Sequence, residues 1–235
     1  MALFSSCATA SRALDAPSPN FSERKLPVGM LVLHYTAGDS DAQDLQCLTD
    51  GAAANPVSAH YLVGRGGRVY ALVDERNRAW HAGVSFWHGV TDVNSASIGI
   101  EISNSGHDAR GRARPFTEAE IEAVVALCAN ICSRYEIAPR DVVGHSDVAP
   151  RRKIDPGELF PWRRLAENGV GFWTDGFAEP KLPVEQMLAG IGYETVDVGA
   201  SLRAFERHYY PEAVTSGATR TLERLAAVYN ALSLK

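Results

Sequence analysis

The sequence predicts an α/β unit followed by a small all-helical one, and three observations carry that prediction. Residues 28–35 form a nearly continuous apolar run, residues 96–103 alternate strictly, and after Gly176 only short amphipathic segments remain. The 235 residues, 46% of them hydrophobic, suffice to bury a full core and leave room for one medium domain and a small one. The formal charge of -5 at pH 7 describes a mildly acidic protein without the basic excess that nucleic-acid binding needs, so nucleic acid is not expected as a partner.

The elements follow in order. Residues 1–27, rich in Ala, Ser and Pro and including Ala16-Pro17-Ser18-Pro19-Asn20, lack a consistent period and read as an extended lead-in. The run 28–35 has the character of a buried strand and places His34 at its carboxyl end. Residues 39–50 carry Ala42, Leu45 and Leu48 at helical spacing and stop at Gly51, read here as a left-handed terminator. Residues 58–63 and 68–73 flank Gly64-Arg65-Gly66-Gly67 as a hairpin. In 96–103, Ile98, Ile100 and Ile102 share one buried face, so Glu101 points the other way.

Thr117-Glu118-Ala119-Glu120 is a capping box, and Ile121, Val124, Val125, Cys128, Ile131 and Cys132 follow at helical spacing. Residues 141–148 read as a short strand or its exit loop, and Phe160-Pro161-Trp162 introduces a helix ending near Gly169. Three helical segments at 184–189, 202–209 and 221–232 then make a bundle, which sets a catalytic-sized domain at 28–175 and a small helical one at 176–235.

Cys7, Cys47, Cys128 and Cys132 form neither a CxxC pair nor a disulfide framework, and Cys128 and Cys132 suit buried packing on one helix face. No apolar run is long enough for a transmembrane helix. Phe4-Ser5-Ser6-Cys7 loosely resembles the end of a lipoprotein signal but has no apolar region before it, so the expectation is a cytoplasmic protein. The alternative is a periplasmic or outer-membrane lipoprotein if the true start lies upstream and Cys7 carries the lipid.

A hydrolytic zinc site needs three protein ligands and an open position for water. His34, His145 and Asp155 could supply such a set, although no short ligand spacing such as HExxH marks them. The specific signal is the ordered series Leu33-His34-Tyr35-Thr36, Ser58-Ala59-His60-Tyr61-Leu62-Val63, Ile98-Gly99-Ile100-Glu101, Gly144-His145-Ser146-Asp147 and Lys153-Ile154-Asp155-Pro156-Gly157. Over roughly residues 17–170 this series resembles the zinc-dependent N-acetylmuramoyl-L-alanine amidases of the AmpD and AmiD type.

The resemblance implies a mixed central β-sheet flanked by helices, the fold also used by peptidoglycan recognition proteins. It implies Zn2+ held by His34, His145 and Asp155, with Glu101 as general base and Lys153 facing the transition state. The substrate would be peptidoglycan or a muropeptide, cut between N-acetylmuramic acid and L-alanine. Trp80-His81-Ala82-Gly83 resembles the family segment that borders the substrate groove, and Tyr35, beside His34, is counted with it as substrate-binding; Asn104, just after the strand of Glu101, could donate a hydrogen bond to substrate, and His60 either lines the cleft or packs in the core. Arg151 and Arg152 match no catalytic position and read as surface charge, and Arg110, Arg112 and Arg114 read as a solvated loop, the alternative being that they meet the carboxylates of a stem peptide.

Met187-Leu188-Ala189-Gly190-Ile191-Gly192-Tyr193 and Ala204-Phe205-Glu206-Arg207-His208-Tyr209-Tyr210 resemble the small three-helix peptidoglycan-binding domain of some AmiD-like amidases. The other reading of this tail is a helical cap packed on the catalytic domain. For the whole chain, the alternatives to a wall-recycling or remodelling amidase are a non-catalytic peptidoglycan-recognition module and a phage-type lytic amidase. A recognition module would be signalled by a missing ligand, and none of the three is missing. A monomer is expected.

Overall fold

The computed structural model describes residues 13–233, so Cys7 and the reading attached to it lie outside the described residues. In chain order the strands are β1 (Leu14–Asp15), β2 (Phe21–Glu23), β3 (Met30–Tyr35), β4 (Tyr61–Val63), β5 (Val69–Ala71), β6 (Asn77–Ala79), β7 (Ser97–Ile102) and β8 (Val142–Gly144). The helices are α1 (Asp41–Thr49), α2 (Val93–Ala96), α3 (Glu118–Tyr135), α4 (His145–Val148), α5 (Trp162–Glu167), α6 (Val184–Ile191), α7 (Val198–Tyr209), α8 (Pro211–Thr215) and α9 (Thr221–Ser233).

Strand β3 is apolar on both faces and can be left to water on neither, so it lies inside the sheet, paired in parallel with β7 on one side and β8 on the other. Parallel β4, antiparallel β5 and parallel β1 follow outward from β7, giving a mixed six-stranded sheet in the order β1-β5-β4-β7-β3-β8. A separate antiparallel ribbon joins β2 to β6.

The register sorts the core. Leu31 lies beside Ile98 and Val142, and Leu33 beside Ile100, and this face packs on Ile121, Val124, Cys128 and Ile131 of α3. Met30, Val32 and Val143 face the other way and join Leu188, Ile191, Phe205 and Leu225 of the C-terminal helices in one continuous apolar cluster. The alternation of β7 therefore separates two covered faces rather than a buried face from a wet one, and the C-terminal helices are the reason.

Other expectations change in detail. The lead-in is extended but is hydrogen-bonded into the fold through β1 and β2. Arg24 fastens it further, donating to the carbonyls of Glu75, Asn77, Ser95 and Ser97. Gly51 does not end α1 in a left-handed turn, because the helix already stops at Asp50 with φ -77 and ψ 100. Gly51 serves close approach instead, since a Cβ there would lie 2.8 Å from Pro19 Cγ. In the tail, α7 begins at Val198 rather than at 202, capped by Asp197 accepting from Ala200 N at 2.8 Å. A glycine at 199, a poor helix former, hides that first turn in the sequence.

The capping box of α3 forms as read: Thr117 Oγ1 accepts from Glu120 N at 3.2 Å and the Glu120 carboxylate accepts from Thr117 N at 2.5 Å. Thr117→Ala removes one half of it. The expected loss is about 1 kcal/mol of stability, read as a fall of about 2–4 °C in Tm, with activity unchanged. An unchanged Tm would show that α3 is held by its apolar face alone.

Candidate metal centre and active-site pocket

Parallel pairing sets His34 opposite Glu101 in register, so both side chains emerge on the same sheet face at the carboxyl ends of β3 and β7. His145 enters the same space as the first residue of α4, directly after β8, and Asp155 arrives on the loop that follows. The three meet: His34 Nδ1 lies 2.9 Å from His145 Nδ1, and Asp155 Oδ2 lies 3.1 and 3.0 Å from the two nitrogens. All three residues are buried.

Neighbouring hydrogen bonds decide which nitrogens carry protons. Ser97 Oγ donates to Val93 O at 2.6 Å, so it accepts from His81 Nε2 at 3.2 Å. His81 Nδ1 is then an acceptor and takes the proton of His34 Nε2 at 3.0 Å, which leaves His34 Nδ1 a bare lone pair. His145 Nε2 donates to Ala82 O at 3.1 Å, leaving its Nδ1 bare in the same way. Two lone pairs and a carboxylate oxygen thus converge, an arrangement that repels itself unless a cation lies among them.

Burial first, and His145 second, push His34 down to about 4, so a proton does not fill that place at neutral pH. Burial opposes ionisation of Asp155, but positive charge on the side of His145 and His34 outweighs it and holds the carboxyl well below its usual range, a charge that a metal ion would supply where the imidazoles are uncharged. Two imidazole nitrogens and a carboxylate oxygen are a donor set that fits a divalent metal ion with a position left free.

The centre opens into a pocket of about 360 Å³ lined among others by Tyr35, Asp44, Cys47, Trp80, Glu101 and Lys153. Glu101 Oε2 is enclosed without a hydrogen-bond partner among the described residues. Burial raises the Glu101 carboxyl well above the ordinary glutamate range, Asp155 raises it further, and Lys153 pulls it back. Such a carboxyl is poised to take up and release a proton.

Of the residues read from the sequence, His34, His145, Asp155, Glu101, Lys153, Tyr35, Trp80 and His81 come together at this pocket. His81 stands mainly behind His34 rather than at the open side, its ring laid on Gly99, where a Cβ would come within 2.4 Å of His81 Cγ. The structure does not bring His60 or Asn104 to the pocket. His60 is fully buried, its Nδ1 accepting from Gly99 N and its Nε2 meeting Asn77 O. Asn104 is spent on the following loop, donating to Arg114 O and Pro115 O and accepting from Gly106 N.

Arg152 is more than surface charge, because its guanidinium donates to Ala82 O at 2.9 Å and to Val84 O, fixing the loop that carries the acceptor for His145. Ser97 and Asp44 carry no motif in the sequence, and Cys47 is read there only as a cysteine without a partner framework. For Asp44 a signal existed: it lies one residue before Leu45 on the apolar side of α1, where it accepts from Ser103 Oγ at 2.7 Å. Ser97 carries no comparable signal.

Two predictions follow from this geometry. Replacing His81 by Phe keeps a ring but removes the acceptor that sets the tautomer of His34; metal affinity, read by chelator competition, should fall by roughly 10–100-fold. The second concerns the metal-free protein. A carboxyl whose pKa is raised on folding holds its proton more tightly in the folded state, so its contribution is favourable at low pH and is lost as pH rises through the folded pKa. Glu101→Gln should therefore raise the Tm of the apoprotein at pH 8, by about 2–4 °C for each kcal/mol relieved, and the gain should vanish below the ordinary glutamate range. A gain independent of pH would contradict the charge argument.

Comparisons with known proteins place the chain among amidases. Residues 24–158 match the family described as N-acetylmuramoyl-L-alanine amidase. The N-acetylmuramoyl-L-alanine amidase AmiD of Escherichia coli (strain K12) is 37% identical over 229 residues, covering 85% of this chain and 81% of that protein. The structure of E. coli AmiD in complex with the substrate anhydro-N-acetylmuramic acid-L-Ala-D-γ-Glu-L-Lys superposes with a TM-score of 0.74 at 34% identity, over 87% of this chain and 88% of that one. The crystal structure of AmpDh3 from Pseudomonas aeruginosa in complex with anhydromuramic pentapeptide gives a TM-score of 0.74 at 33% identity, over 99% and 98% of the two chains.

Proposed function

This chain belongs to the N-acetylmuramoyl-L-alanine amidase family, and from that premise we propose that it hydrolyses the amide between N-acetylmuramic acid and L-alanine in muropeptides with zinc held by His34, His145 and Asp155. The observation that carries the reading is the convergence of two bare imidazole nitrogens and a carboxylate oxygen, beside a buried glutamate with a free oxygen in the same pocket. Zinc bound there supplies Lewis acidity to the amide carbonyl and to a water molecule.

The protein's own groups do the rest. Glu101 takes the proton of the attacking water and passes it to the leaving nitrogen of L-alanine, and its raised affinity for a proton suits both transfers. Lys153 lines the same pocket, and its ammonium faces the charge that develops on the carbonyl oxygen. Tyr35 and Trp80 offer a ring edge and an aromatic plane to the sugar and peptide on either side of the scissile bond. His81 and Arg152 act behind these residues, the first on His34 and the second on the loop from Ala82 to Val84.

All of these residues fall within 28–175, which supports that span as the catalytic unit. The resemblance of 176–235 to a peptidoglycan-binding module supports a share for that part in holding the wall. The anhydromuramyl ligands bound in the complexes of E. coli AmiD and AmpDh3 favour the 1,6-anhydro form over ordinary muramyl ends.

Mass spectrometry of products from the zinc-loaded protein, given a muramyl tetrapeptide and its anhydro form in turn, tests the reading. Free tetrapeptide is expected from at least one, and the ratio of rates gives the preference. Zinc binding with no cleavage of either would mean a recognition module instead. Glu101→Ala should keep zinc and lose turnover by about two orders of magnitude or more, whereas His145→Ala should lose the metal together with activity.

A further inference from the structure

We propose that the C-terminal helices hold His145 in place through a buried carboxylate, with Tyr193 and His208 as positioning residues acting on Asp147. The inference rests on the reading of His145 as a zinc ligand.

The helix that carries His145 cannot hold itself. Helix α4 is four residues long, closed by the bond from Ala149 N to His145 O, and a single turn is marginal without outside support. Two sets of contacts supply that support. On one side Ser146 N donates to Asp155 O at 2.8 Å, tying the helix to the backbone of another ligand residue. On the other side stands Asp147, two residues beyond His145 and fully buried.

Asp147 is held at three points. Its Oδ2 accepts from Gly144 N and from His208 Nδ1, each at 2.7 Å, and its Oδ1 accepts from Tyr193 Oη at 2.7 Å. The first bond closes the helix onto its own start, and the other two come from the C-terminal part of the chain. His208 is itself fixed in plane, stacked on Trp162 at 3.8 Å between ring centroids with 18° between planes. Trp162 in turn crowds Gly144, where a Cβ would meet its ring at 3.3 Å and Pro156 Cδ at 2.7 Å.

Tyr193 is 1% exposed and His208 2%, so no bulk water competes for the carboxylate. Apolar residues of similar size at these three positions would cover the sheet as well; what a satisfied polar cluster adds is direction. The carboxylate fixes the rotation of α4, and the rotation of α4 fixes where His145 Nδ1 points. Slack at Asp147 would let His145 drift from its contacts of 2.9 and 3.0 Å with His34 and Asp155.

The experiment uses the full-length protein and reads zinc affinity by chelator competition, the visible spectrum of the cobalt-substituted protein, and kcat separately from KM. For Tyr193→Phe combined with His208→Leu, a folded protein by circular dichroism should show zinc affinity reduced by roughly 10–100-fold, as for loss of an outer partner of a metal ligand. Its cobalt bands should shift, and kcat should fall more than KM changes. His208→Asn, which can keep a donor near the place of Nδ1, should restore most of the affinity that His208→Leu loses. Leu188→Ala, which opens the same apolar cluster without touching Asp147, should lower Tm and leave the cobalt spectrum alone. Tyr193→Phe by itself carries the same test if the double variant does not fold. Wild-type zinc affinity and an unaltered cobalt spectrum in folded variants would overturn the proposal and leave the cluster a stabilising one. A wild-type protein that binds no zinc would instead remove the premise about His145.

Discussion

The parallel pairing of β3 with β7 in one register is the constraint from which the site descends. It places His34 beside Glu101 and, two residues earlier, Val32 beside Gly99 on the same face. A slip of one residue would turn Glu101 toward the isoleucine side under α3 and leave a carboxylate in an apolar core. The register is defended by that penalty, since Leu31, Leu33, Ile98, Ile100 and Ile102 are all fully buried against the same helix. Hydrophobic packing on one face thus fixes the chemistry on the other.

On the chemical face the fold accepts an arrangement that is unfavourable unless a cation lies among its atoms. Three acceptor atoms are turned toward one another and a glutamate is enclosed with one oxygen unpaired, and both features run against the rule that buried polar atoms are satisfied. Such strain persists only where the surroundings over-determine it. Here they do: Ser97 and His81 orient His34, Ala82 O orients His145, and Arg152 holds the segment on which Ala82 lies. Each of these partners is fixed by a further bond, so the three candidate ligand atoms are held in place by the protein itself.

The parts of this that could be read from the sequence are those encoded by local periodicity. The apolar run of β3 and the strict alternation of β7 sufficed to put His34 at a strand end and Glu101 on the side away from the isoleucines, and the capping box located the start of α3 at Glu118. Positions defined by long-range contact were not legible. His60 sits in one of the ordered motifs and Asn104 just past the strand of Glu101, but motif order does not say which side of a strand or loop a polar group faces, and both turn to backbone partners. Asp147 stood within Gly144-His145-Ser146-Asp147 with no role attached, because two of the three groups that bind it lie 46 and 61 residues away. The strands of the lead-in were hidden by their proline-rich setting and by being only two and three residues long.

The C-terminal helices bear on the same point from the side of packing. Met30, Val32 and Val143 belong to the sheet that carries the site, yet the residues that bury them include Leu188, Ile191, Phe205 and Leu225. A sheet face of this kind needs a cover, and this chain supplies it from beyond residue 175. A module joined only by a linker could not do so, because its contribution to the core would vanish each time it swung away. The helices of the tail are bound to the sheet by apolar contact and to α4 by the Asp147 cluster, and the two attachments reinforce one another: the apolar contacts bring Tyr193 and His208 to the carboxylate, and the carboxylate fixes the angle at which they dock.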